Sequence, residues 1–173
     1  MTEKKQKILD TALNLFATDG FGATSTNKIA KTARVSEGLI FRHFKNKDSL
    51  LAAIMEAGDA KIQKHIDDIA AQADAKTIIR KVIELPFLVT NSEDPYWTLY
   101  FTLQHEGIEK VNKLWEGVHP NLVHALTLEG YYQPAMEAQF LELAFNGITE
   151  AILSADLRNV AELEAYVKAR YYV

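Results

Sequence analysis

Residues 25 to 50 read STNKIAKTARVSEGLIFRHFKNKDSL, two short helical patterns separated by a tight turn. Ser25 and Thr26 are residue types that cap helix N-termini, and Ile29, Ala30 and Ala33 follow at helical spacing along one apolar stripe. Ala30 is small where two helices must cross closely. Ser36 is again an N-cap residue and opens a second pattern of Leu39, Ile40 and Phe44. Helices joined this closely cannot lie parallel. The expectation is a helix-turn-helix whose second helix forms a ridge that fits the major groove of duplex DNA.

With Ile40 and Phe44 assigned to a core, the positions left facing outward are Glu37, Gly38, Leu39, Phe41, Arg42 and His43. Gly38 has no side chain to hold the backbone away from DNA, which would justify a residue that costs about 1 kcal/mol in a helix relative to alanine. Arg42 can pair bidentately with guanine or bind phosphate, and His43 and Lys47 are donors suited to phosphate oxygens. Glu37 is the odd member. Phosphate repels its carboxylate, which gains only from a cytosine or adenine amino group or from an intramolecular partner such as Arg34. Taken one by one, these residues also fit a plain solvated helix face.

The pattern resembles the TetR family of transcription regulators. The resemblance rests on DGFGATSTNKIA at 19 to 30 and VSEGLIFRHFKNKDSL at 35 to 50, about the first third of the chain. It implies that Ser25, Thr26 and Asn27 begin the first helix of the motif and touch phosphates or a base. It likewise implies that Ser36, Glu37, Gly38 and Leu39 begin the recognition helix, that Phe41, Arg42 and His43 are main contacts, and that Lys47 holds the DNA backbone. Three positions depart from the family pattern. Arg34 replaces the usual turn glycine and is expected in a left-handed conformation at a cost of roughly 1 kcal/mol. Phe41 lacks the hydroxyl of the usual tyrosine, and Glu37 and Leu39 replace a more polar or basic pair, so base preference cannot be copied from a relative.

The net charge of −4 conceals an asymmetry: residues 1 to 50 hold nine Lys and Arg against five Asp and Glu, whereas residues 51 to 173 hold ten against eighteen. A basic head of +4 on an acidic body of −8 is the footprint expected of a DNA-binding tip on a body that stays off the duplex. There is no cysteine, which excludes thiolate catalysis, disulfides and cysteine metal sites. No apolar run of signal-peptide or membrane-spanning length occurs, so the expectation is a cytoplasmic protein without membrane contact and without cofactor or metal.

The fold class expected is all-α, with a three-helix head at 1–46 and a helical regulatory and dimerisation body at 47–173. A helix over about 3 to 19 ends at Gly20, with Phe21 folding back, and Asn46 caps a long helix from 47 to about 73 that joins head to body. Gly58, near the middle of that helix, weakens or bends it or is harmless. Further helices are expected at about 75–91, 94–105, 106–117, 120–129, 134–154 and 159–172.

The segment from Pro134 to Ser154 is apolar on two faces and needs two partners. Leu141, Phe145, Ile148 and Ile152 would pack on their own subunit. The small-residue stripe of Phe140, Ala144, Gly147 and Ala151, with Leu163 and Val167 of the last helix, would form a homodimer interface, as the resemblance also implies. The alternative is a central helix buried in a monomer. Two-fold pairing suits a palindromic operator, since recognition helices about 34 Å apart read successive major grooves. A small-molecule effector is expected among Trp97, Tyr100, Phe101, Gln104, His105, Trp115, His119 and Asn146, where aromatic and polar residues coincide, although such stripes also build ordinary cores. The function expected is a sequence-specific regulator, a repressor released by an apolar or amphipathic ligand. Its rivals are an effector-independent DNA-binding protein and a helical metal enzyme. The last rests only on HEGIE from His105 to Glu109, a near miss to the zinc-protease pattern, and on His119 and His124, poorly spaced for one helix face.

Overall fold

The computed structural model describes residues 2–91, 95–105 and 113–173. Among them are nine α-helices and no strand: α1 (Glu3–Asp19), α2 (Thr26–Ala33), α3 (Glu37–His43), α4 (Lys47–Ala70), α5 (Ala75–Asn91), α6 (Pro95–His105), α7 (Lys113–Leu128), α8 (Pro134–Leu153) and α9 (Val160–Arg170). The chain divides into two compact units, residues 1–61 with 95–110 and residues 62–94 with 111–173. The helix α4 runs unbroken through the change from one to the other. The division differs from a simple boundary at 46/47, because α6 packs against α1 and belongs with the N-terminal unit.

In the N-terminal unit the caps do what the sequence suggests. Ser25 Oγ accepts from the Lys28 N–H at 3.1 Å, Ser36 Oγ from the Leu39 N–H at 3.3 Å, and Asn46 Oδ1 from the Ser49 N–H at 2.7 Å. Each satisfies a donor that the first turn of a helix leaves open, worth about 1 kcal/mol apiece. Gly20 ends α1 at φ 86°, and Phe21 returns to meet Phe16 edge-on with ring centroids 5.1 Å apart. Ile8, Ala12, Phe16, Ile29, Ala30, Ala33, Ile40, Phe44 and Leu50 are buried and bind the first four helices together.

Gly58 is neither a bend nor neutral. A Cβ built there would lie 1.8 Å from Cε2 of Tyr96, so the glycine lets the ring of α6 rest directly on the α4 backbone. Tyr96 is buried, with Lys61 Nζ 5.3 Å from its ring centroid.

In the C-terminal unit α5, α7 and α8 pack on one another and α9 lies against α5. Gly117 plays the corresponding part: a Cβ there would come within 2.6 Å of Ile66. The expected break before Pro120 does not occur, because α7 runs from Lys113 to Leu128 with the proline inside it. Leu114, Trp115, Val118, Leu122, Ala125 and Leu126 are all buried along one stripe. Burying such side chains yields about 1.5–3 kcal/mol each, against roughly 3 kcal/mol for an interior proline. Pro120 and Glu116, whose carbonyl loses its N–H partner, both lie on the exposed side, where water can replace that bond. The rest of the expected helix at 106–112 lies outside the described residues.

Candidate nucleic-acid interface

The helix-turn-helix is built around Arg34, which ends α2 in the left-handed conformation at φ 55° and ψ 47°. Its N–H reaches back to the Lys31 carbonyl at 3.2 Å, and the Val35 N–H to that of Ala30 at 3.0 Å. The turn is therefore held by two backbone bonds although its residue carries a Cβ. Arg34 is exposed, which leaves its guanidinium as added positive charge beside the motif.

On α3, Ile40 is fully buried, while Gly38, Phe41 and Arg42 are exposed and Glu37, Leu39 and His43 half-buried. Phe41 is 48% exposed, a large apolar ring kept on the surface. A single exposed ring is ordinary on a protein surface; beside the exposed Arg42 and Gly38 it adds an apolar contact to the outer face of α3. A Cβ at Gly38 would meet nothing within 4 Å, so no contact inside the protein requires that glycine. Ser25, Asn27 and Ser36 are exposed and Thr26 half-buried at the helix starts beside this ridge.

Two residues expected at the DNA are tied internally as well. Glu37 accepts from Thr26 Oγ1 at 2.6 Å and from Asn27 Nδ2 at 3.4 Å, so of the alternatives open to it the intramolecular one is present, with these partners in place of Arg34. Lys47 Nζ donates to the Phe21 carbonyl at 2.7 Å and the Thr24 carbonyl at 3.1 Å, and lies 4.2 Å from the centroid of the Phe21 ring. An ammonium has three donors, and Lys47 staples the loop after α1 with two of them. Thr24, buried, completes the staple by donating to the Leu15 and Gly20 carbonyls at 3.2 and 2.9 Å. Lys28 pairs with Asp19 at 2.9 Å across α1 and α2. Neither the Thr24 nor the Lys28 contact had a signal in spacing, because both join residues about nine positions apart through a loop.

The expected effector residues do not form one described cluster. Trp97, Tyr100 and Phe101 meet on α6 in the N-terminal unit, with ring centroids 5.1 to 6.4 Å apart. Trp115, His119 and Asn146 belong to the C-terminal unit, where Trp115 meets Phe145 edge-on at 5.4 Å and His119 and Asn146 are half-buried. The Trp115 Nε1–H is buried and has no hydrogen-bond partner among the described residues. The side chains of Gln104 and His105, and the HEGIE stretch from Glu106 on, lie outside the described residues. Among those described, no group of three or more His, Asp or Glu could hold a metal, and no helix is long and apolar enough to cross a membrane.

The helix α8 buries Ala138, Leu141, Phe145 and Thr149. Its outer side shows Met136, Phe140 and Leu143 at 59, 53 and 65% exposure, followed at the same spacing by Gly147. The outward stripe is thus 136/140/143/147, which keeps Phe140 and Gly147 of the expected face and moves Ala144 and Ala151 to its half-buried flank. Leu163 and Val167 on α9 are half-buried too, and Tyr166 beside them is 62% exposed. Met136, Leu143 and Tyr166 were not expected there. Met136 and Leu143 carry a sequence signal in their helical spacing with Phe140, at four and three residues; Tyr166, on another helix, carries none.

Two capped helices joined at Arg34, the second with Gly38, Phe41 and Arg42 on its outer face, define a helix-turn-helix motif in a basic N-terminal unit. A family profile described as bacterial regulatory proteins, tetR family, matches residues 8–54. Against the regulator QacR of Staphylococcus aureus the chain is 30% identical over 135 residues, 73% of this chain and 70% of QacR. The chain belongs to the TetR family. It is 34% identical over 90 residues to YerO of Bacillus subtilis, half of this chain, but spans only 31% of that relative's length. The solved structure of FadR from Bacillus subtilis in complex with stearoyl-CoA superposes with a TM-score of 0.68 over 96% of both chains at 21% identity, a likeness of fold.

Proposed function

We propose that this chain is a sequence-specific DNA-binding transcriptional regulator that acts in the cytoplasm as a homodimer on a palindromic operator, and represses until a small apolar or amphipathic ligand releases it. The observation that carries the reading is the outer face of α3. Arg42, Phe41 and Gly38 stand exposed together on that face, and no contact within the protein calls for the glycine. Arg42 supplies base or phosphate contact, and the backbone at Gly38 can approach a base edge without obstruction.

Dimerisation is supported by the bare stripe of Met136, Phe140, Leu143 and Gly147 on α8, with Tyr166 beside it on α9. A second copy would bury the same stripe against itself, as two-fold symmetry requires. Ligand control is supported by the buried Trp115 Nε1–H, which a ligand acceptor would satisfy, and by the acyl-CoA bound in the FadR structure. A bound effector must prefer one spacing of the two heads, and that difference in free energy is what lowers DNA affinity.

Selection of bound duplexes from a random library tests the DNA reading: an inverted repeat with half-sites about one helical turn apart is the expected product. Failure to enrich any sequence would refute it. A thermal-shift series of fatty acyl and other apolar compounds tests ligand control. A stabilised complex that also releases the selected duplex is expected, and stabilisation by none would leave an effector-independent regulator.

A further inference from the structure

The carboxylate of Glu37 stands among the outward residues of the helix-turn-helix, where a negative charge should be disfavoured. Both of its oxygens are engaged from the first turn of α2, Oε1 by the Thr26 hydroxyl at 2.6 Å and Oε2 by the Asn27 amide at 3.4 Å. Thr26 and Asn27 are the side chains at the start of α2 that could otherwise donate to phosphate oxygens. Glu37 therefore takes the Thr26 hydroxyl proton and one of the two Asn27 amide protons, and adds a negative charge at the start of α3. A residue used merely to fasten α2 to α3 need not be charged, since a glutamine carbonyl would accept from Thr26 equally well.

We propose that Glu37 is a specificity-determining residue that acts by suppressing sequence-independent DNA binding. It reads no base. Sequence-independent affinity comes almost entirely from phosphate contacts and is what a genome's excess of wrong sites exploits. Glu37 lowers this background by repelling the backbone and by holding Thr26 and Asn27 away from it. At the operator the base contacts of the remaining α3 side chains fix a register in which Thr26 and Asn27 stay on Glu37, whereas a non-specific complex settles wherever phosphate contacts are best, so the penalty falls mainly on wrong sites and the ratio of specific to non-specific binding rises. The inference rests on the DNA-binding reading of α3.

The test compares wild type with Glu37→Gln and Glu37→Ala, using the selected duplex and a random duplex of equal length across a salt series. Glu37→Gln keeps an acceptor for Thr26 without the charge, and Glu37→Ala removes both. Both variants are expected to bind random duplex roughly 3- to 10-fold more tightly, with a salt dependence steeper by up to about one counterion because a negative charge facing the phosphates is gone. Operator affinity is expected to rise less, so selectivity falls. Library selection with Glu37→Gln should recover the wild-type motif. Unchanged or weaker random binding in Glu37→Gln would overturn the proposal, as would a motif altered at a single base pair, which would make Glu37 a base reader. A wild type that binds no duplex would instead refute the function on which the inference rests.

Discussion

Replacing Gly58 with alanine puts two opposed effects into one measurable sign. Helix propensity alone favours the change by about 1 kcal/mol, since alanine loses less backbone freedom than glycine in a helix. The new methyl, however, would sit 1.8 Å from Cε2 and 2.1 Å from Cζ of Tyr96. Carbon atoms rest about 3.5–4.0 Å apart, so the ring must retreat by about 2 Å. It has little room to do so, being 1% exposed and flanked by Trp97 and Tyr100 at 5.4 and 6.1 Å between centroids. Overpacking of this kind costs about 1–3 kcal/mol and exceeds the propensity gain when the obstacle cannot turn aside. Gly58→Ala should therefore destabilise the protein, by up to about 2 kcal/mol, which for a chain of this size lowers Tm by up to about 8 °C. Urea denaturation, with m compared between variants, separates this from a change in the unfolded state. Gly38→Ala is the control: its Cβ meets nothing within 4 Å, so it should be neutral or gain up to about 1 kcal/mol while impairing DNA binding. A Gly58→Ala protein as stable as Gly38→Ala would refute the tight seating of Tyr96 on α4.

Arg42→Ala should weaken binding to the selected duplex by about 1–3 kcal/mol in a salt-controlled gel shift, and an unchanged affinity would remove Arg42 from the readout. Gly147→Trp should give a folded monomer by sedimentation and circular dichroism, because nothing lies within 4 Å of that position in a single chain; a normal dimer would reject the α8 face. Arg34→Gly should relieve the left-handed residue at φ 55° and raise stability by up to about 1 kcal/mol, while weakening DNA binding at low salt through the lost charge. Tyr171, whose hydroxyl donates to Glu137 Oε1, is held well above the ordinary phenol range by burial first and then by that bond and the nearby carboxylate. Its proton stays on in the folded state after the unfolded chain begins to lose it near pH 10, so its contribution to stability is complete below about pH 10 and is lost as pH rises beyond. Urea midpoints should thus fall more steeply between pH 9 and 11 for wild type than for Tyr171→Phe, and parallel curves would contradict this role.

What could be read from the sequence and what could not divides along the range of the interactions. Caps, the left-handed turn at Arg34 and the buried stripe of α3 depend on neighbours within a few positions, so residue type and spacing carry them. The role of Gly58 does not, because its reason is Tyr96, thirty-eight positions later. In the sequence, a glycine excluded by a distant ring looks the same as one that bends a helix. Pro120 misled for a related reason: it is a local stop signal overruled by burial along the opposite side of α7, which becomes visible only when α5 and α8 are in place. The charges show the same limit at the functional face. Sequence could place Glu37 and Lys47 near DNA, but not find that each already had protein partners, at 2.6 Å on Thr26 and 2.7 Å on the Phe21 carbonyl. Those contacts change what the residues can do. A free carboxylate on the recognition helix would be a base reader, whereas one that holds Thr26 and Asn27 bears on phosphate contact, on which binding to wrong sequences chiefly depends.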